Sequence, residues 1–266
     1  MILLCELRKG TDRTEGFPFD LPGIRSLDTL RFQAPVTFLV GANASGKSTL
    51  LEALALATNR VVVGGTDLKR DASLEAIRPL AKALRLTWNK RTARGFFLRA
   101  EDFFNFARRN RELTSELQGF ADKHADDARA RGYLLGQKRQ IEERYGDLNA
   151  ASHGEGFLRV FASRLVPHGL YLLDEPEAAL SPHSQLAFLL QLRAAVEQGS
   201  QFLIATHSPL LTAYPGAEIL EFNANGLEPV AYDDVEGVGL YRHFLRQPRQ
   251  YLDPLFRERA GLKIRW

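Results

Sequence analysis

The chain has one cysteine and one methionine in 266 residues, and a net charge of only +3. No apolar run approaches the ~20 residues that cross a bilayer, so no transmembrane helix is expected. A lone thiol, Cys5, excludes an internal disulfide; it alternates with apolar neighbours and reads as a small core residue. The opening MILLCELRKG carries no basic leader and no small-residue cleavage site. It reads as a strand rather than a signal peptide, and a reducing cytoplasm is the expected location. The small net charge argues weakly for any partner. The charge is nevertheless uneven. Residues 69–99 hold nine Lys and Arg against Asp71 and Glu75, and the stretch from Arg242 onward holds seven against Asp253 and Glu258. These read first as solvated basic faces. A phosphate backbone is the alternative partner, with Trp88 as a possible stacking residue.

What is abundant is chemistry at one short stretch. Residues 41–49, GANASGKST, fit the pattern G-x-x-x-x-G-K-[ST]. Glycines at 41 and 46 permit a backbone that turns successive N–H groups inward around phosphate oxygens. The following helix adds its free N–H groups and the positive end of its dipole. On this reading Gly41, Ala42, Asn43, Ala44, Ser45, Gly46, Lys47, Ser48 and Thr49 surround a phosphate chain. Lys47 reaches the β- and γ-phosphates, and the Ser48 hydroxyl ligates Mg²⁺. The flanks agree, since residues 36–40 (VTFLV) read as a buried strand and residues 49–58 (TLLEALALAT) as a helix.

Elsewhere the pattern predicts a strand at 2–7, apolar residues at helical or mixed spacing over 72–86 with Pro79 as a boundary, and a strand at 95–99. A charged helical stretch follows over 102–144, with Asp127/Arg131 and Arg139/Glu143 as exposed pairs four apart. Strands at 170–173 and 201–205 flank a helix over 182–198 with Ser181 as its N-cap. A hairpin-like pair around Asn225-Gly226 and a helical end over 237–260 complete the chain. Strands alternating with helices imply an α/β fold with a parallel sheet. Residues 68–150 are read as an inserted, mainly helical lobe, and 1–67 with 151–266 as the core.

The apolar strand at 170–173 ends in Asp174 and Glu175, at the sheet edge where open α/β folds place ligands. Asp174 there can hold Mg²⁺, and Glu175 can take a proton from an attacking water. LLDEPEAALSP (172–182) resembles the Walker B segment and D-loop of ABC-type ATPases, and Thr206-His207-Ser208 resembles their switch histidine. The resemblance covers nearly the whole chain. It points to the compact stand-alone ATPases near the SMC and DNA-repair branch.

That resemblance implies a P-loop NTPase core with a mixed sheet flanked by helices, ATP and Mg²⁺ as ligands, and hydrolysis that uses Lys47, Glu175 and His207. It also implies a nucleotide-dependent homodimer, with a nucleic acid or protein as possible further partner in a DNA-related or defence process. The family's signature LSGGQ is absent; Ser152, Gly154 and Glu155 stand in its place and would address the partner copy's nucleotide. Glu101 stands where the family has a metal-touching glutamine. Phe17 and Phe19 are the aromatics placed to stack on adenine. A transporter subunit and a nucleotide-gated adaptor with little turnover are the alternative readings.

Overall fold

The computed structural model describes residues 1–10, 15–64, 68, 70–145 and 153–256. Ten strands run in chain order: β1 (Leu4–Lys9), β2 (Thr29–Arg31), β3 (Val36–Gly41), β4 (Val61–Val62), β5 (Leu84–Trp88), β6 (Phe96–Arg99), β7 (Leu170–Asp174), β8 (Gln201–Ala205), β9 (Glu218–Asn223) and β10 (Gly226–Pro229). The helices are α1 (Pro22–Arg25), α2 (Lys47–Ala57), α3 (Arg78–Ala83), α4 (Ala100–Lys123), α5 (Ala128–Tyr145), α6 (His153–Arg164), α7 (Pro182–Glu197), α8 (Pro209–Thr212), α9 (Glu236–Arg246) and α10 (Pro248–Phe256).

The main sheet has seven strands in the order β10-β9-β3-β8-β7-β6-β4. All its neighbours are parallel except the β9–β10 hairpin, so the sheet is mixed as expected. Its central strands are apolar on both faces because each face meets its own core. Leu39, Leu172 and Leu203 join the cluster under α2. Their neighbours Phe38, Val40, Tyr171, Leu173, Phe202 and Ile204 join the cluster that includes Phe157 and Phe161 of α6 and Phe188 of α7. A second, antiparallel sheet of order β2-β1-β5 lies over the first cluster. The buried amide of Gln201 ties the two sheets together. Its oxygen accepts the N–H groups of Leu3 and Leu4 at 2.9 and 2.8 Å, and its nitrogen donates to Leu4 at 3.0 Å.

The structure refines two expectations and corrects a third. The helical or mixed spacing of 72–86 resolves into a 3₁₀ turn (Ala72–Ile77), then α3, then a strand that begins at Leu84. Leu84, Leu86 and Trp88 pair with Lys9, Leu7 and Leu4 of β1, and their shared face packs on the first cluster. Pro79 sits in the first turn of α3, where its missing N–H costs nothing. Second, the segment 68–150, read as mainly helical, also carries two strands. β5 belongs to the small sheet and β6 to the main sheet, and the helices are α3 and the α4–α5 hairpin. Third, Asp127 does not pair with Arg131. It sits ahead of α5, and its carboxylate accepts the N–H groups of Arg129 and Ala130, each at 3.0 Å. The Arg139–Glu143 pair forms as expected, at 2.8 Å. Likewise Ser181 caps α7, accepting the Ser184 N–H at 3.2 Å. The helical end is two helices, broken at Gln247 ahead of Pro248; residues 257–260 lie outside the described residues.

Arg99, at the end of β6 and in register with Asp174, gathers Glu52, Asp71, Glu101 and Asp102 at 2.8–3.5 Å. Burial alone would lower its pKa, but the hydrogen bonds and charges of Asp102 and Asp71 outweigh that and hold the guanidinium charged. No described helix is long and apolar enough to cross a membrane.

Candidate functional site

The 41–49 loop joins β3 to α2, and its backbone has the concave form that the pattern requires. Gly41, Ala44 and Gly46 have φ of 131°, 60° and 111°. At Gly41 a Cβ would also stand 2.4 Å from the carbonyl oxygen of Phe222, so both the angle and the space demand glycine. Gly46 precedes α2, whose first residue is Lys47. The Lys47 ammonium is buried under the loop and donates to the carbonyls of Gly41 at 2.9 Å and Ala42 at 2.8 Å. Burial lowers its pKa, opposed by the nearby carboxylates Glu175, Asp174 and Glu177.

Across the loop, at the carboxyl end of β7, Asp174 accepts the hydroxyl of Ser48 at 3.0 Å. The two residues expected to hold a metal are thus already in contact. Burial pushes the Asp174 carboxyl up to about 7; the Ser48 bond opposes this, and Glu175 and Glu52 reinforce it. An ionised carboxylate so placed has few counter-charges, which is the condition a divalent cation relieves. Among the described residues no group of three or more His, Cys, Asp and Glu forms a cage. A serine and an aspartate fit the sparing protein coordination that Mg²⁺ takes beside substrate phosphates.

Glu175 adopts the left-handed backbone, φ 48° and ψ 50°. That turn separates its side chain from that of Asp174, while its N–H still bonds the Ala205 carbonyl at 2.9 Å. The carboxylate is half exposed, and its Oε1 stands 3.7 Å from Nε2 of His207, which follows the end of β8. Burial and the neighbouring Lys47 lower the histidine's pKa, opposed by Glu175, and the net shift favours the uncharged imidazole.

These groups border one cavity of about 630 Å³, lined by Phe17, Leu21, residues 43–49, Glu175 and His207. Gly41 and Ala42 line a smaller neighbour, about 260 Å³, that His207 shares and that the first turn of α9 closes. Of the two aromatic candidates, Phe17 lines the larger cavity and is 60 % exposed, whereas Phe19 is a core residue at 2 %. Leu21 is a lining residue that sequence reasoning missed, because nothing in its local pattern marks it off from the core. A Phe17→Ala change is expected to weaken nucleotide binding about tenfold through lost stacking. A Phe19→Ala change is expected to cost about 3 kcal/mol or more of stability. Calorimetric binding and thermal melts of the two variants check both, and equal losses of affinity would contradict the division.

Three expected site residues stand apart from the cavity. Glu101 is exposed and faces Arg99 at 3.5 Å. Gly154 and Glu155 open α6, where Gly154 packs so close to Ser184 that a Cβ would lie 2.8 Å from its hydroxyl. Ser152 lies outside the described residues.

The family described as "AAA domain, putative AbiEii toxin, Type IV TA system" matches residues 36–77 and 70–213. The chain belongs to this AAA-domain family. The ABC-type P-loop ATPase character read from its motifs is thereby shown. The matched span of this AAA domain runs from the strand before the phosphate loop to α8, and so contains every group that borders the larger cavity except Phe17 and Leu21. Among named relatives, the cobalt import ATP-binding protein CbiO of Salmonella paratyphi A is 27 % identical over 192 residues, 71 % of this chain and 67 % of that one. The cytochrome c biogenesis ATP-binding export protein CcmA of Ruegeria pomeroyi is 27 % identical over 238 residues, 88 % of this chain and 95 % of that one. Among solved structures, the Smc head domain from Pyrococcus furiosus has a TM-score of 0.46 and 12 % identity, covering 94 % of this chain and 100 % of that one.

Proposed function

We propose that the chain binds and hydrolyses ATP and serves as a nucleotide-dependent dimerising switch in the cytoplasm. One observation carries this reading: four groups from three separate parts of the chain, Lys47 and Ser48, Glu175, and His207, border a single cavity, with Asp174 bonded to Ser48. The backbone N–H groups around residues 42–48 bind the phosphate chain, and Lys47 adds a positive charge beside it. Ser48 and Asp174 would hold Mg²⁺, and the positive charge it would supply would offset that of the phosphates. Glu175 takes the proton of the attacking water, and neutral His207 steadies that water by a hydrogen bond. Phe17 stacks on the base. Gly154 and Glu155 open α6 and do not line this cavity. Their role is on the γ-phosphate bound by a second copy, which makes association depend on nucleotide. Glu101 follows β6, and its reach to metal requires it to leave Arg99.

The test is release of phosphate from ATP with Mg²⁺, measured beside elution volume with and without nucleotide. Turnover together with an ATP-dependent shift to dimer supports the reading. Turnover from a strictly monomeric species removes the switch and leaves the hydrolase. The process driven is DNA-related or defensive on this reading, which the resemblance to the SMC and DNA-repair branch favours.

A second reading, an ATP-binding subunit serving a separate membrane protein, is favoured by the names of the relatives, which are import and export ATP-binding proteins. A neighbouring gene for a membrane-spanning protein that copurifies with this chain would select it.

A further inference from the structure

Glu177 has no role in the chemistry described so far. It lies in the 3₁₀ turn Pro176–Ala179, two residues beyond Glu175. Its carboxylate is largely buried, and Oε1 accepts the backbone N–H of His207 at 2.6 Å, across thirty residues of sequence. The second oxygen, Oε2, is buried with no hydrogen-bond partner. Burying a carboxylate costs several kcal/mol unless its contacts repay it, and this one, short-bonded to the His207 amide with the Thr206 hydroxyl also beside it, still leaves Oε2 unpartnered. Its placement is better explained by what that bond holds.

The bond closes a small frame. At one corner Glu175 donates its N–H to Ala205, which links the end of β7 to the end of β8. At the other, Glu177 holds the next residue but one along β8's extension, His207. The Ala178 N–H bonds the Glu175 carbonyl at 3.0 Å and stiffens the turn between them. Glu175 and His207 are therefore held at their 3.7 Å separation by two bonds that share one rigid turn. We propose that Glu177 is a positioning residue: by gripping the His207 amide it sets the switch histidine against Glu175, so that movement of the 176–179 turn moves His207 with it. This rests on the hydrolase reading for its consequence, but the grip itself is a property of the free protein.

Two near-isosteric substitutions separate reach from charge. Glu177→Gln keeps an oxygen at the same reach, and Glu177→Asp keeps the charge but withdraws it by one methylene. If position is what matters, Gln retains turnover to within about fivefold, Asp loses about tenfold or more in kcat, and both keep KM within about threefold. In a His207→Ala background the Asp substitution costs no more than about twofold, because the group it positions is gone. A Gln variant as impaired as Asp, or an Asp effect that persists undiminished without the imidazole, overturns the proposal. Hydrogen exchange at the His207 amide gives a readout that needs no ATP. Exchange is expected to quicken about tenfold in Glu177→Asp and little in Glu177→Gln. Unchanged exchange in Glu177→Asp also overturns the proposal. A wild-type protein that releases no phosphate would instead overturn the hydrolase reading, and the exchange result alone would then decide the role of Glu177.

Discussion

Glu175→Gln is expected to lower ATP turnover about 10³-fold while leaving nucleotide affinity within a fewfold of wild type. Removing a general base typically costs 10²–10⁴ in rate, and Gln fills the same volume without the proton-accepting oxygen. The left-handed turn at 175 is as open to Gln as to Glu, so the fold should not suffer. The side chain is half exposed at the rim of the cavity and bonded to nothing but the histidine's vicinity, so stability should move by less than about 0.5 kcal/mol. With ATP and Mg²⁺ the variant should accumulate as a dimer, because the state that hydrolysis ends is now long-lived. Single-turnover phosphate release, thermal melts and elution volume check the three parts. A turnover rate equal to wild type would remove Glu175 from the chemistry, and slow turnover without a dimer would remove the association step alone.

Asp174→Asn is expected to do two opposite things. It should abolish turnover, since the group proposed to hold Mg²⁺ with Ser48 is gone. It should also stabilise the nucleotide-free protein at pH 8 by a few kcal/mol. The sign follows from the carboxyl's pKa, which burial raises from 3.8 to about 7. Between those values the folded protein holds a proton that the unfolded chain has released. The group's contribution to stability is therefore greatest below pH ~4, falls as pH rises towards 7, and is flat above. Glu52 and Glu177, both pushed up by burial, act in the same direction, so the variant reduces the slope without removing it. Mg²⁺ with ATP favours the ionised form and should flatten the wild-type curve. Melting temperatures from pH 5 to 8, with and without Mg·ATP, check this. An Asn variant no more stable than wild type at pH 8 would mean that the aspartate is not a strained buried acid.

How far the site could be read in advance depended on how local its signals are. The phosphate loop, the Asp174–Glu175 pair and His207 each sit at the end of an apolar strand, and a strand's end is visible in ten residues. The structure brings Lys47, Ser48, Glu175 and His207 to one cavity because β3, β7 and β8 are neighbours in the sheet. What escaped depends on contacts across the chain. Leu84 and Leu86 continue an apolar spacing that suits a helix, and only pairing with β1, some eighty residues earlier, makes them a strand. Phe17 and Phe19 are indistinguishable by type or spacing, and burial alone separates them. Glu177 was in plain view as the second glutamate of DEPE, yet nothing local says that its carboxylate reaches the His207 amide. Asp127 fitted a helical ion pair by spacing alone, and the chain's turn at 124–127 places it ahead of α5 as a cap instead.

The central claim is that main-chain amides around Lys47 grip a triphosphate while Ser48 and Asp174 provide for its magnesium. Isothermal titration of ATP with Mg²⁺ into the folded protein, run beside a Lys47→Ala variant, tests it most directly. A saturable one-site isotherm in the wild type, weakened at least about tenfold in the variant, is the predicted result. No heat of binding in the wild type, or an isotherm indifferent to the loss of Lys47, would contradict it.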